Sequence, residues 1–281
     1  MPKSKPPVAA WLGLMALLLC FACTKADGTQ EAVSTRLILT GSSTLAPLLT
    51  DLAASYERLH PEVRIDVQSG GSGRGIRDAR SGVADFGMVS RDLYAEESDL
   101  KVWTIAQDGV GLIVHASNPV RGFTADQVRA IYRGEITDWS LLGGDPGPIT
   151  VVHKAAGRAT LGVFLEHFEL KNPEVKADIL AGENEHAIKT IAGDPRAIGY
   201  VSIGNAEEDI LHGVAIRLVD LEGVPATSEQ VSAGIFPMTR ALNLVALETP
   251  QAGLAADFLR YVTSSEANQQ IREFSYSPLT P

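Results

Sequence analysis

Apolar and polar positions along this chain recur in two periods, and the switches between them predict its layout. Residues 36–40 (RLILT) read as a strand. Leu45, Leu48, Leu49, Leu52, Ala53, Tyr56 and Leu59 then recur at helical spacing, which predicts an amphipathic helix over 44–59. Pro47 falls in its first turn, where the missing N–H has no helical partner in any case. Val63, Ile65 and Val67 alternate with polar residues and predict a second strand. A Gly-rich turn over 69–75 leads to a short helix ending near Gly82, and 85–89 is a third strand. This β-α-β-α-β order predicts a parallel sheet with helices on both faces. The pattern resumes after Pro119. Thr124 with Gln127 predicts a capping box for a helix reaching Arg133. Strands are expected at 149–152, 197–202 and 240–247, helices at 158–170 and 185–192, and one long helical stretch over 251–274.

The first residues follow another logic. Lys3 and Lys5 precede an apolar run from Val8 to Ala22, too short for a membrane span of about 20 residues but suited to a signal peptide. Both cysteines, Cys20 and Cys23, close that run, so no disulfide framework is expected. They read as a lipoprotein processing site: Ala22 before Cys23 is the small residue such sites carry, whereas Leu19 before Cys20 is not. Lipidation is therefore expected at Cys23, with ordinary cleavage near Ala22 or an uncleaved anchor as alternatives. Residues 24–35 are small and polar and predict a flexible tether. The expected location is extracytoplasmic, periplasm or cell surface, with the chain held to a membrane by its N-terminal lipid.

The chain has 281 residues, 45% of them hydrophobic, enough for one or two cores. Its net charge of -10 speaks against a nucleic-acid partner. It does not speak against a small anion, because backbone N–H groups and helix ends make a closed site locally positive. Three polar turns have that potential: Gly41-Ser42-Ser43-Thr44, the Gly-rich run from Ser69 to Gly73, and Lys154 to Thr160. Each follows a strand and opens a helix, so free N–H groups and hydroxyls point at one spot. Any one of these Ser and Thr residues is more often a plain N-cap; three such turns in one chain are harder to read that way.

The same stretches carry a family resemblance. LTGSSTLAPLL, SGGSGRGI and ADFGMVSR between Leu39 and Arg91, the block 131–164 (IYRGEITDWSLLGGDPGPITVVHKAAGRATLGVF) and AIGYVSIG over 197–204 resemble the phosphate-binding proteins of the high-affinity phosphate ABC importer. The resemblance covers residues 36–281. It implies an α/β, two-domain periplasmic-binding-protein fold of the type crossed twice by the chain, each domain a mixed, mainly parallel sheet flanked by helices, with the ligand cleft between. Residues 36–117 and 240–281 would form one domain and 118–239 the other, with crossings near 115–121 and 237–241. The implied partners are inorganic phosphate and an ABC permease, with no cofactor, no metal and a monomeric chain. The implied ligand contacts are Thr44 and Leu45 with Ser43 beside them, Ser72 in the Gly-rich turn, and Thr160 in the second-domain loop.

Two departures from the family pattern bear on chemistry. Its second-domain loop commonly carries an Arg followed by Ser-Gly-Thr, where this chain has Lys154 and then Arg158-Ala159-Thr160. Lys lacks the bidentate fork of Arg, so Arg158 is the expected substitute guanidinium. Many members also place an Asp where Ser90 stands, followed here by Arg91. A carboxylate there accepts the proton of hydrogen phosphate and turns sulfate away. With Ser90, anion binding is still implied and the argument for phosphate over sulfate weakens. Arg91 either faces the ligand or pairs with a carboxylate such as Asp85 or Asp92.

Other readings are narrower. The six histidines show no metal-ligand spacing. Glu96, Glu97 and Asp99 are expected on a solvated face, and Trp103 and Trp139 in the packing. A serine hydrolase is a remote alternative, since Gly71-Ser72-Gly73 has no G-x-S-x-G elbow around it. Binding of another tetrahedral oxyanion (sulfate, molybdate), or phosphate sensing or scavenging without import, are the nearer ones.

Overall fold

In the computed structural model, which describes Met1 and residues 35–279, the first third follows the expected alternation. The expected leader, Cys23 and nearly all of the tether lie outside the described residues. Strand β1 (Arg36–Gly41) is followed by α1 (Ala46–Leu59), β2 (Arg64–Ser69), α2 (Ser72–Arg80) and β3 (Phe86–Val89). Leu48, Leu49, Leu52, Ala53 and Tyr56 are the buried stripe of α1, as the spacing requires. Then come β4 (Lys101–His115), β5 (Gly122–Phe123), α3 (Ala125–Tyr132), β6 (Thr150–Lys154), α4 (Ala159–His167), β7 (Ile179–Ala181) and α5 (Asn184–Gly193). The chain ends through β8 (Ala197–Ser202), α6 (Ile203–Leu211), β9 (Ile216–Leu218), β10 (Asp220–Leu221), α7 (Ser228–Ser232), β11 (Thr239–Ala246), α8 (Gly253–Val262), α9 (Ser265–Glu273) and β12 (Ser277–Pro278).

The main sheet runs β2-β1-β3-β11-β4-β8-β6-β7. It is mixed: β1 is parallel to β2 and β3, and β6 to β7 and β8, while β11 and β4 run antiparallel to their neighbours. Helices cover both faces. Leu37, Leu39, Phe86, Leu242 and Leu244 pack with α1, α8 and α9 on one face of the first half, and α2 covers the other through Ile76 and Ala79. In the second half, α3 and α4 pack over Val151, Ile198 and Tyr200, and α5 lies over Val152 and Val201 on the opposite face. Tyr200 and Phe164 stack with centroids 3.9 Å apart. The Thr124 capping box is present, with Gln127 N donating to Thr124 Oγ1 at 3.2 Å and Thr124 N to Gln127 Oε1 at 2.9 Å. Trp139 is buried and donates to the Arg196 carbonyl, and Trp103 packs edge-on against Phe86. Among the described residues no helix is long and apolar enough to cross a membrane.

Besides the short β5, β7, β9, β10, β12 and α7, which the sequence pattern did not predict, three elements differ from the expectation. The 15-residue β4 had no counterpart in it. Its second half is buried on both faces, which erases the alternation that marks a half-exposed strand, and Gly109 and Gly111 interrupt what remains. The stretch 251–274 is two helices, because the Ser264 hydroxyl accepts from Ala267 N and donates to the Tyr261 carbonyl, ending α8 and opening α9. Directly after β8 comes α6, opened by Ser202, whose hydroxyl accepts from Asn205 N at 3.3 Å.

Candidate functional site

The turn between β1 and α1 is set by Gly41. At φ +134° it takes a conformation closed to most side chains, and a Cβ there would stand 2.3 Å from the Met88 carbonyl. That carbonyl instead accepts from Ser42 N at 2.9 Å, and the Gly41 carbonyl takes the N–H groups of Gly70 and Gly71 at 2.8 and 2.7 Å. The starts of α1 and α2 are thereby drawn together with the end of β3. Ser42 donates to Ser90 at 2.9 Å between hydroxyls, and Ser90 N donates to Ser72 Oγ at 3.1 Å. All three serines are buried.

No side-chain hydrogen bond caps α1, α2, α4 or α5, nor α8 farther off, whereas Thr124, Ser202, Thr227 and Ser264 cap α3, α6, α7 and α9. The starts of α2 and α4 are also joined, Gly73 N donating to the Gly157 carbonyl at 3.2 Å, so the positive ends of the α1, α2 and α4 dipoles lie together.

A buried guanidinium joins the two halves of the sheet there. Arg240, near the start of β11, donates through Nη2 to Thr44 Oγ1 at 3.0 Å and through Nη1 to Thr160 Oγ1 at 2.9 Å. Its Nε and Nη2 both donate to Asp108 Oδ2, at 3.0 and 2.7 Å, and both side chains are 1% exposed. Asp108 Oδ1 accepts from Gly204 N at 3.3 Å. Lys154, at the end of β6, lies beside this group. Its ammonium donates to the Glu183 carbonyl at 3.0 Å and to Asn184 Oδ1 at 3.2 Å. Burial pushes the Lys154 pKa down to about 7; the Arg240 charge adds to the fall, and Glu183 opposes it. The concentration of donors and positive charge, with Asp108 committed to Arg240, suits an acceptor-rich anion.

Of the residues singled out by sequence, Thr44, Ser72, Ser90, Lys154 and Thr160 come together here. Leu45 occupies the N-cap position of α1 with its side chain in the core. Ser43 lies at the rim, where Glu183 Oε2 also accepts from Ser69 at 2.7 Å. Two of the residues are engaged elsewhere. Arg158 donates to Glu183 Oε1 at 2.6 Å, so the guanidinium between Thr44 and Thr160 is that of Arg240. Arg91 makes a two-pronged pair with Glu97 at 2.7 and 2.8 Å and lies over the Tyr94 ring. The carboxylate it pairs with is thus neither that of Asp85 nor that of Asp92, although Nη1 also donates to the Asp92 backbone carbonyl at 2.8 Å, and Glu97 is buried rather than solvated.

Sequence reasoning missed Arg240, Asp108, Asn184 and Ser42. The available signal was a lone charge in an apolar strand, at Asp108 and at Arg240 in RALNLVA. Nothing in the sequence joins two such charges 132 positions apart.

Comparison with known proteins places this arrangement. The chain is 29% identical over 258 residues to the phosphate-binding protein PstS of Bacillus subtilis, covering 89% of this chain and 83% of that one. It is 27% identical to PstS of Pseudomonas aeruginosa, covering 89% and 84%. A crystal structure from Clostridium perfringens, assigned as a phosphate ABC transporter substrate-binding protein and holding phosphate, superposes with a TM-score of 0.81 at 29% identity, over 87% of this chain and all of that one. An ABC-type phosphate transport receptor from Vibrio cholerae follows at 0.68 and 27%, over 87% of this chain and all of that one. The model of the PBP superfamily domain matches residues 26–266, and with most of its length so matched the chain belongs to that superfamily.

Proposed function

We propose that this chain is an extracytoplasmic solute-binding protein that captures inorganic phosphate for an ABC importer, without transforming it. The observation that carries the reading is the meeting of three uncapped helix starts with Thr44, Ser72, Thr160, Lys154 and Arg240 at one buried place. The named relatives support phosphate as the ligand and import as the context. The ligand set is Thr44, Ser72, Thr160 and Lys154 with the turn N–H groups near Ser43 and Leu45, and Arg240 joins it in the role first given to Arg158. Ser90 steadies Ser72 and Ser42. Arg91 holds the cleft edge through Glu97. For a hydrolase reading, no hydrogen bond among the described residues pairs Ser72 Oγ with a histidine or a carboxylate; it accepts from Ser90 N.

The cleft divides two lobes that close on the anion. Ile105 and Ala106 of β4 belong to one core, and Val110, Leu112 and Val114 to the other, which supports a first crossing near Gly109, earlier than the expected 115–121, and a second near Met238. The protein works as a monomer, held to the membrane by a lipid on Cys23. Intact-mass measurement of membrane-extracted protein is expected to show the added lipid, and its loss in Cys23→Ala; an unmodified wild-type mass sinks the anchor.

Calorimetric titration tests the ligand. Phosphate is expected to bind one to one. With a neutral hydroxyl at Ser90 in place of a carboxylate, sulfate is expected to compete within about tenfold, roughly 1.4 kcal/mol. Sulfate binding more tightly than phosphate would make the chain a sulfate carrier; binding of neither anion would end the oxyanion reading.

A further inference from the structure

A run of hydrogen bonds behind the site has a single direction. The Tyr276 hydroxyl lies 2.8 Å from the Thr44 carbonyl, which can only accept, so the hydroxyl donates to it. Having given its proton there, Tyr276 accepts from Asn205 Nδ2 at 2.8 Å. Asn205 therefore turns Oδ1 toward Asn184, whose Nδ2 donates to it at 2.7 Å. That leaves Asn184 Oδ1 facing the Lys154 ammonium at 3.2 Å. Reversing any amide along the run sets donor against donor, so the carbonyl at one end fixes every orientation up to Lys154.

The orientation of Asn184 has a consequence at Thr44. The second N–H of the same amide donates to Thr44 Oγ1 at 3.1 Å, and Arg240 Nη2 donates to that oxygen at 3.0 Å. A threonine hydroxyl has two lone pairs and one proton. With both lone pairs taken, its proton can go only to an acceptor. We infer that Asn184 is a positioning residue that fixes Thr44 as an obligate donor, committing that position to a ligand oxygen that accepts. The inference rests on the oxyanion reading and adds the residue that sets the polarity of the site. Asn184 is 4% exposed and begins α5, whereas Thr44 precedes α1, whose core is a separate one. The donor is therefore set only when the two halves of the cleft are together.

A residue that merely fills space and a residue that sets polarity rank two substitutions oppositely. If Asn184 only fills space, the isosteric Asn184→Asp is the milder change. If it sets polarity, Asn184→Asp is the worse one, because the new carboxylate accepts the Thr44 proton meant for the ligand. Asn205→Asp brings the same charge one amide farther along and controls for simple repulsion. Phosphate titrations of the full chain at pH 7.5 decide, together with melting temperatures measured without anion. Asn184→Ala and Asn205→Asp are each expected to weaken binding about tenfold, and Asn184→Asp at least about a hundredfold. Asn184→Asp should nevertheless melt no lower than wild type without anion, since it gives buried Lys154 a counter-charge. Equal losses in the two Asp variants, or a smaller loss in Asn184→Asp than in Asn184→Ala, overturn the inference while wild type still binds. A wild type that binds neither phosphate nor sulfate removes the oxyanion reading and this inference with it.

Discussion

Asp108→Ala is expected to lower the unfolding free energy by about 3–5 kcal/mol and to end anion binding, because it strands a buried guanidinium. Asp108 and Arg240 are each 1% exposed in their side chains. Little solvent can reach Arg240 once its carboxylate is gone, and the neighbouring Lys154, on which the Arg240 charge already acts, offers no compensation. The same change frees the guanidinium from the direction in which it meets Thr44 and Thr160. The double variant Asp108→Leu with Arg240→Met removes both charges. It is expected to recover most of the stability and none of the binding, since buried pairs are often replaceable by apolar groups at little cost. Urea unfolding of the three proteins with a phosphate titration of each measures both effects. A wild-type unfolding midpoint in Asp108→Ala would falsify the claim that this pair is what holds Arg240 in place.

The second large effect belongs to Lys154. Its folded pKa of about 7 lies below the ordinary lysine value of 10.5, chiefly through burial. Below pH 7 the amine is charged in both states, and the folded protein carries the whole burden of a buried ammonium. Between about 7 and 10.5 the unfolded chain binds more protons than the folded one, so this group's contribution to stability rises with pH across that window. Its full span is roughly 5 kcal/mol. Lys154→Met is therefore expected to be more stable than wild type at pH 6.5 and to lose that advantage by pH 10. It should also bind phosphate far more weakly. An arriving anion raises the Lys154 pKa, so binding to wild type at pH 8 takes up close to one proton, visible as a buffer-dependent heat that Lys154→Met lacks. Equal stability of the two proteins at pH 6.5, or a binding heat indifferent to buffer, removes Lys154 from the site.

The three turns that carry Thr44, Ser72 and Thr160 were legible in the sequence because each is local, a strand, a small or hydroxyl-bearing turn, then a helix, while the family resemblance singled out the residues within them. The first β-α-β-α-β run was legible for the same reason, since β2 and α1 each expose one face. β4 was not, being enclosed on both faces in its second half. Arg240 and Asp108 lie within apolar strands, and only the sheet, which sets β4 beside β11, brings them together. Arg158 shows the converse. Its place before α4 made it the natural substitute for the guanidinium that Lys154 lacks, yet Glu183, 25 residues on, holds it. Glu97 misled in the same way, since an acidic run reads as solvated until Arg91 is seen to claim one of its members.

The uncapped starts of α1, α2 and α4 bear on how such a protein can diverge. A backbone N–H is common to every residue but proline, so mutation at Ser43, Leu45 or Ala159 alters side chains without erasing the groups that point at the anion. Much of the grip is thereby inherited with the path of the chain rather than with its letters. A lineage built this way can exchange most of its residues and keep its backbone, which accords with a TM-score of 0.81 at only 29% identity to the Clostridium perfringens structure.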